Sequence, residues 1–355
     1  MRALGGVRAG LVLGAGGVLG GAWMAGALHA LAVRTRWYPR HAHNIVGTSA
    51  GAVLAVLGGA GVPPWLLIPE SATNIYHGLI DASGNLELNK DLWERIVRRR
   101  RLGLPRLAPG SLSLTLAGLR QGRSTFLKTL SGLAPAGFIS TDPIKDTVRW
   151  IAPDGGWVQH PNTWIVACDY QTGERVVFGR GDSPEVSVPQ AVAASCAIPG
   201  YYCPEVIGGR AYVDGGLHSM SNLDLLAGQA LDLAIVLSPL STRTRFRGWD
   251  PFNRLTDATR RAIARQLDAE IALLEAEGTQ VVVFEPTADD LIAIGGNVMD
   301  DRRRTRVMET ATRTTTEQLK RAAFRKLLPY LEPPAPKPAP KAPEPTAKPR
   351  LRPAI

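Results

Sequence analysis

The sequence predicts an α/β protein with a mainly parallel central sheet covered on both faces by helices. Three observations carry that prediction. Short apolar runs such as Gly10-Leu11-Val12-Leu13 and Leu233-Ala234-Ile235-Val236-Leu237 read as strands buried on both sides. Helix-forming stretches lie between such runs, so strand and helix alternate along the chain. Of 355 residues, 45% are hydrophobic and 20% charged, which supplies a large core and excludes wholesale disorder. The three cysteines (Cys168, Cys196, Cys203) form no C-x-x-C pair and the six histidines have no metal-binding spacing, so no disulfide scaffold, metal or other cofactor is expected.

Residues 1–8 read as an N-terminal extension, and the main domain as 9–330. The first strand, at 10–13, opens into Gly14-Ala15-Gly16-Gly17, a tight turn feeding a helix. The stretch from Leu11 to Val33 has no charge apart from His29 and follows Arg2 and Arg8, so it also has the outline of a signal peptide or membrane span. Its glycines argue against both: Gly14, Gly16, Gly17, Gly20, Gly21 and Gly26 are six of its first sixteen residues, and an interior glycine costs a helix about 1 kcal/mol relative to alanine. A strand at 43–47 then leads into a small-residue helix from Ala50 to about Gly58. Pro63, Pro64 and Pro69 bracket the apolar Trp65-Leu66-Leu67-Ile68, residues 90–101 look helical, and 103–139 is rich in Leu, Gly and Ser with weak periodicity. Residues 60–139 are therefore expected to be a lid-like insertion.

Asp142-Pro143 reads as an N-cap followed by proline at the first helical position, opening a helix to about 151. Strands at 163–168 and 175–178 follow, then a small-residue helix at 189–195, a hairpin turning at Gly208-Gly209, and a strand ending in Tyr212-Val213-Asp214. Strands at 233–237 and 280–284 flank a helix of about 251–277, and a last helix runs through about 301–329. From 331 the chain is a tail, with nine prolines in residues 333–355 and no apolar face, expected to be disordered or polyproline II.

The formal charge of +10 is localised. Residues 95–106 hold six arginines and no acid, and residues 333–355 hold five cations against Glu344, so the rest is formally neutral. A nucleic-acid-binding domain carries its charge across a folded face with a recognisable motif, and neither is visible. No nucleic-acid partner is expected. Two basic patches on a neutral body suit an anionic membrane surface, with Arg95–Arg106 as the peripheral contact.

Gly47-Thr48-Ser49-Ala50-Gly51 is the strongest chemical signal. It lies between an apolar strand and a helix-forming run, where a G-x-S-x-G turn lifts a serine oxygen out on a sharp bend and small neighbours such as Gly47 and Gly51 avoid a clash. The helix N-terminus, beginning at Ala50, then points free N–H groups at the serine and at an oxyanion formed there. The glycine loop is a poor dinucleotide fingerprint, since Leu19 stands where the third glycine belongs and residues 34–43 contain no acid. Its Gly16 and Gly17 N–H groups instead suit an oxyanion hole. A serine nucleophile needs a base. His77, His160 and His218 lack a distinctive setting, whereas Asp214-Gly215-Gly216 follows a strand end and can bring a carboxylate against another loop.

These pieces together resemble the patatin-like phospholipases: the glycine loop Gly14 to Gly21, the elbow Gly47 to Gly51, Asp214-Gly215-Gly216, the intervening Ala194-Ser195-Cys196-Ala197-Ile198-Pro199-Gly200, and Asn222 and Asp224 beyond. The resemblance covers about residues 9–330. It implies a three-layer α/β/α fold with a nucleophile elbow and a phospholipase A or lipid esterase acting through a Ser49–Asp214 dyad. Ser49 is the nucleophile, Asp214 the general base and acid, and Gly16, Gly17 and Ala50 the oxyanion donors. The 60–139 insertion becomes the acyl-binding wall, with Trp65 and Leu67 in it. The family's glycine loop usually carries Arg or Lys where this chain has Leu19, so the hole must rely on backbone N–H groups. A catalytically silent, membrane-associated patatin fold and a nucleotide-binding α/β protein are the other readings. The expected location is cytoplasmic, peripheral at a membrane, with no transmembrane helix.

Overall fold

The computed structural model describes residues 7–64, 137–152, 156–243, 251–321 and 324, with main chain alone at 251–256. Most of the 60–139 insertion, Trp65 to Ile68, the Arg95–Arg106 cluster and the proline-rich tail lie outside the described residues.

The strands are β1 (Ala9–Leu13), β2 (Asn44–Thr48), β3 (Thr163–Asp169), β4 (Arg175–Phe178), β5 (Glu205–Ile207), β6 (Arg210–Asp214), β7 (Leu233–Leu237) and β8 (Gln280–Phe284). The α-helices are α1 (Gly17–Thr35), α2 (Ala50–Gly59), α3 (Asp142–Arg149), α4 (Val188–Ser195), α5 (Pro251–Ala276), α6 (Ala288–Ile294) and α7 (Arg304–Leu319). The strands form one sheet in the order β5-β6-β3-β2-β1-β7-β8, with β4 paired to β3 off that path. Strands β3, β2, β1, β7 and β8 are mutually parallel, while β4 and β6 run antiparallel to β3.

Side-chain alternation explains the layers. Leu11, Leu13, Ile45, Leu233, Ile235 and Leu237 enter one core with Leu19, Trp23 and Leu28 of α1. Val12, Val46, Ala234 and Val236 point the other way, into a second core with Leu267 and Leu274 of α5. A strand buried on both faces has no room for polar alternation, which is why β1, β2 and β7 are buried along their whole length. The result is helices on both sides of a mainly parallel sheet.

Two local expectations need correction. The cap of α3 is Thr141, not Asp142, which is the first helical residue. The Thr141 hydroxyl donates to Glu205 Oε2 at 2.6 Å, and Asp142 pairs with Lys145 at 3.0 Å inside the first turn. The last helix, expected from 301, starts as a 3-10 turn at Asp301–Arg303 before α7. Helix α6, not expected, is opened by a capping box in which the Asp290 carboxylate accepts from the Thr287 N–H at 2.8 Å.

Candidate active site

Ser49 stands between β2 and α2 with φ 55° and ψ −122°, a main-chain conformation that a non-glycine residue holds only under constraint. The close approach of loop and helix demands the flanking glycines. A side chain on Gly51 would run into the Leu13 carbonyl, and a β-carbon on Gly47 would lie 2.6 Å from that of Ala55. The Ser49 N–H donates to Ser195 Oγ at 2.9 Å, and Ser195 Oγ donates to the Val166 carbonyl at 2.5 Å. Ser195, at the end of α4, thus ties the strained residue to β3.

Strand β3 also brings the aspartate to the serine. Val166 pairs with Thr48 on β2, and the next residue, Ala167, pairs with Asp214 on β6. Strand β4 pairs with both Val166 and Ala167, so it occupies one edge of β3 and leaves the other to β2 and β6 in turn. The residue after β2 and the last residue of β6 therefore meet at neighbouring positions along a single strand edge. Ser49 and Asp214 are both buried, at 4% and 6% exposure, and the Ser49 side chain favours the ionised form of the Asp214 carboxyl. The Gly216 N–H donates to Asp214 Oδ1 at 2.7 Å. Burial pushes the Asp214 carboxyl up from 3.8 to about 6, against the opposing effects of the Ser49 side chain and the Gly216 N–H. Burial first, then the Asp214 charge, pushes the Cys196 thiol well up, so it stays a thiol.

The segment after Asp214 is pinned from below. Asn222 Nδ2 donates to Thr48 Oγ1 at 3.0 Å, and Arg175 reaches Asn222 Oδ1 at 3.2 Å while forking onto Asp224 with two bonds of 2.7 Å. Glu270 of α5, itself buried, accepts from the hydroxyls of Ser219 and Ser221 and from the Leu223 N–H. Asn222 and Asp224 follow the Asp214 motif in the sequence. Arg175 and Glu270 lie more than forty residues from their partners, and no local pattern marks them.

The glycine loop leaves β1 beside this centre. Gly14 N–H donates to Leu237 O and Ala15 N–H to Met220 O, whereas Gly16 and Gly17 N–H meet no acceptor among the described residues. The Ala50 N–H, first in α2, has no place in that helix's own ladder. Leu19 is fully buried in the core, where a basic side chain would be an unpaired charge. His160 is tied to Thr163 Oγ1 and the Ala42 carbonyl, and His77 lies outside the described residues. Among the described residues no three His, Cys, Asp or Glu side chains converge as a metal would require.

Comparison with known proteins adds an independent line. Uncharacterised NTE family proteins of Mycobacterium bovis and Mycobacterium tuberculosis are 34% identical over 116 residues, 32% of this chain and 31% of theirs. The match thus spans about a third of those relatives' length. The solved structure of VipD from Legionella pneumophila superimposes with a TM-score of 0.41 at 15% identity, covering 89% of this chain and 67% of that one. The type III effector ExoU gives 0.35 at 17% identity over 88% and 53%. At such scores the assignment rests on sequence, and there the patatin-like phospholipase model matches residues 11–227, more than half of the chain, from β1 through the glycine loop, elbow and Asp214 segment. The chain belongs to the patatin-like phospholipase family.

Proposed function

We propose that the protein is a serine acyl hydrolase that cleaves carboxylic ester bonds of lipids. The observation that carries this is Ser49 at a strained strand-to-helix turn, its side chain acting on the buried Asp214 carboxyl. As Ser49 Oγ attacks the ester carbonyl carbon, Asp214 takes its proton. The N–H groups of Gly16, Gly17 and Ala50 stabilise the negative charge on the carbonyl oxygen. Collapse breaks the bond to the alcohol, which leaves with the proton from Asp214, and the acyl group stays on Ser49. Water then attacks this ester, gives a proton to Asp214, and releases the carboxylic acid as Ser49 Oγ recovers the proton. No histidine is needed.

A fluorophosphonate probe and an ester assay test the reading together. Wild type should label at Ser49 and turn over, Ser49→Ala should do neither, and Asp214→Asn should lose about 10³-fold or more in kcat. His218→Ala should keep its activity. An unlabelled wild type would support the silent-fold reading that the buried Leu19 keeps open; an inactive His218→Ala beside an active Asp214→Asn would overturn the dyad.

A further inference from the structure

We infer that Met220 and Met299 are the apolar walls of an acyl-chain subsite at the glycine loop. This rests on the acyl hydrolase reading and adds what that site receives beside the reacting carbonyl. Gly17, with φ 60°, turns the bare side of its Cα toward residues 298 and 299: a β-carbon there would lie 3.0 Å from Met299 Sδ and 3.1 Å from Val298 Cγ2. The Leu19 N–H fixes that segment by donating to Val298 O at 2.9 Å, and the Val298 side chain packs on the core. Met299 is therefore an immediate neighbour of a proposed oxyanion donor.

Met220 occupies the matching place on the aspartate side. Its carbonyl accepts from the Ala15 N–H at 2.8 Å. A β-carbon on Gly216 would lie 3.1 Å from Met220 Sδ and 3.0 Å from Asp214 Oδ1, so the thioether and the carboxylate that takes the serine proton both lie against Gly216. Both methionines are partly exposed, whereas Met24 and Met308 are shut into the core at 0% and 2%. A thioether on three rotatable bonds offers no donor to a head group but moulds itself to an alkyl chain. Met299 belongs to a segment beyond residue 227, where the family match ends, so this wall is supplied by the part of the chain outside that match.

The test is a kcat/KM series on p-nitrophenyl esters from acetate to palmitate, with Ser49→Ala as the blank. Met299→Trp and Met220→Trp should each lower the decanoate-to-acetate ratio by about tenfold or more and move the optimum to shorter chains. Met299→Ala and Met220→Ala should lower the same ratio several-fold through lost contact, and they decide the matter if a tryptophan variant fails to melt cooperatively. Met308→Leu, in the core, should keep the wild-type profile. Ratios unchanged in all four site variants, with Ser49-dependent turnover intact, overturn the subsite and leave the hydrolase standing. Absence of Ser49-dependent turnover on every ester overturns the hydrolase and the subsite with it.

Discussion

Ser49 and Asp214 each hold a state that costs the folded protein something, and both costs are measurable. With its carboxyl at about 6 instead of 3.8, Asp214 binds its proton more tightly in the folded chain than in the unfolded one. Its contribution to stability is complete below the unfolded value and is lost as pH rises through about 6, a change of about 3 kcal/mol across that window. Asp214→Asn escapes the loss, so its melting temperature should exceed wild type by more at pH 8 than at pH 4; an equal difference at both would contradict a buried, ionising carboxylate. The same group, working as a base, must be ionised, so kcat/KM should rise with pH through an apparent pKa near 6. At Ser49 the cost is conformational, of order 1–3 kcal/mol for such a main chain. Ser195 Oγ offsets it by accepting the Ser49 N–H. Ser195→Ala should lower kcat by about tenfold or more with KM little changed, because a loosened elbow misplaces the nucleophile without altering the walls that hold substrate. A pure KM effect would mean that Ser195 does not position the elbow.

Strand β3 is the element that assembles the centre, and it shows what the sequence could and could not tell. The strands with continuous apolar runs were legible to within a residue, because burial on both faces leaves a pattern that no surface segment shares. Ser49 and Asp214 were legible too, as small-residue turns closing such strands. Their adjacency came from the family resemblance and from no local pattern: it depends on β2 and β6 sharing one edge of β3, a tertiary register that no local run of residues encodes. Ser195 stood within a recognised block without a role, since its two hydrogen bonds reach residues 29 and 146 positions away. Helix α6 escaped for the opposite reason, being seven residues long with only its Thr287-to-Asp290 box as a marker. Strand β2 also carries an oddity at its other end. Asn44 is fully buried, and neither its amide nitrogen nor its oxygen has a hydrogen-bond partner among the described residues. An unpaired buried amide costs about 1–3 kcal/mol, so Asn44→Val should raise stability to denaturant by about 1 kcal/mol or more. A loss of stability would show that a buried water satisfies the amide.

At the scale of the whole molecule, the net charge falls in stretches of sequence other than those that hold the candidate site. The six arginines of 95–106 and the net +4 of 333–355 account for the full +10, so the remainder, which holds Ser49 and Asp214, is formally neutral. Among the described residues no helix is long and apolar enough to cross a membrane. A lysine or arginine near an anionic bilayer contributes about 1 kcal/mol at most, and salt screens it over roughly 10 Å. Six arginines within twelve residues would act together on one patch of an anionic membrane, whereas the tail's charges are spread over 23 residues and should count for less each. The protein should therefore co-sediment with anionic vesicles at low salt, release at high salt, and ignore neutral vesicles. Replacing Arg98 to Arg101 with glutamine should weaken binding more than removing residues 333–355. Equal binding to neutral and anionic vesicles, or binding untouched by the glutamine variant, would leave the arginines as a solvated helix end, where they complement the negative end of the helix dipole and touch no lipid.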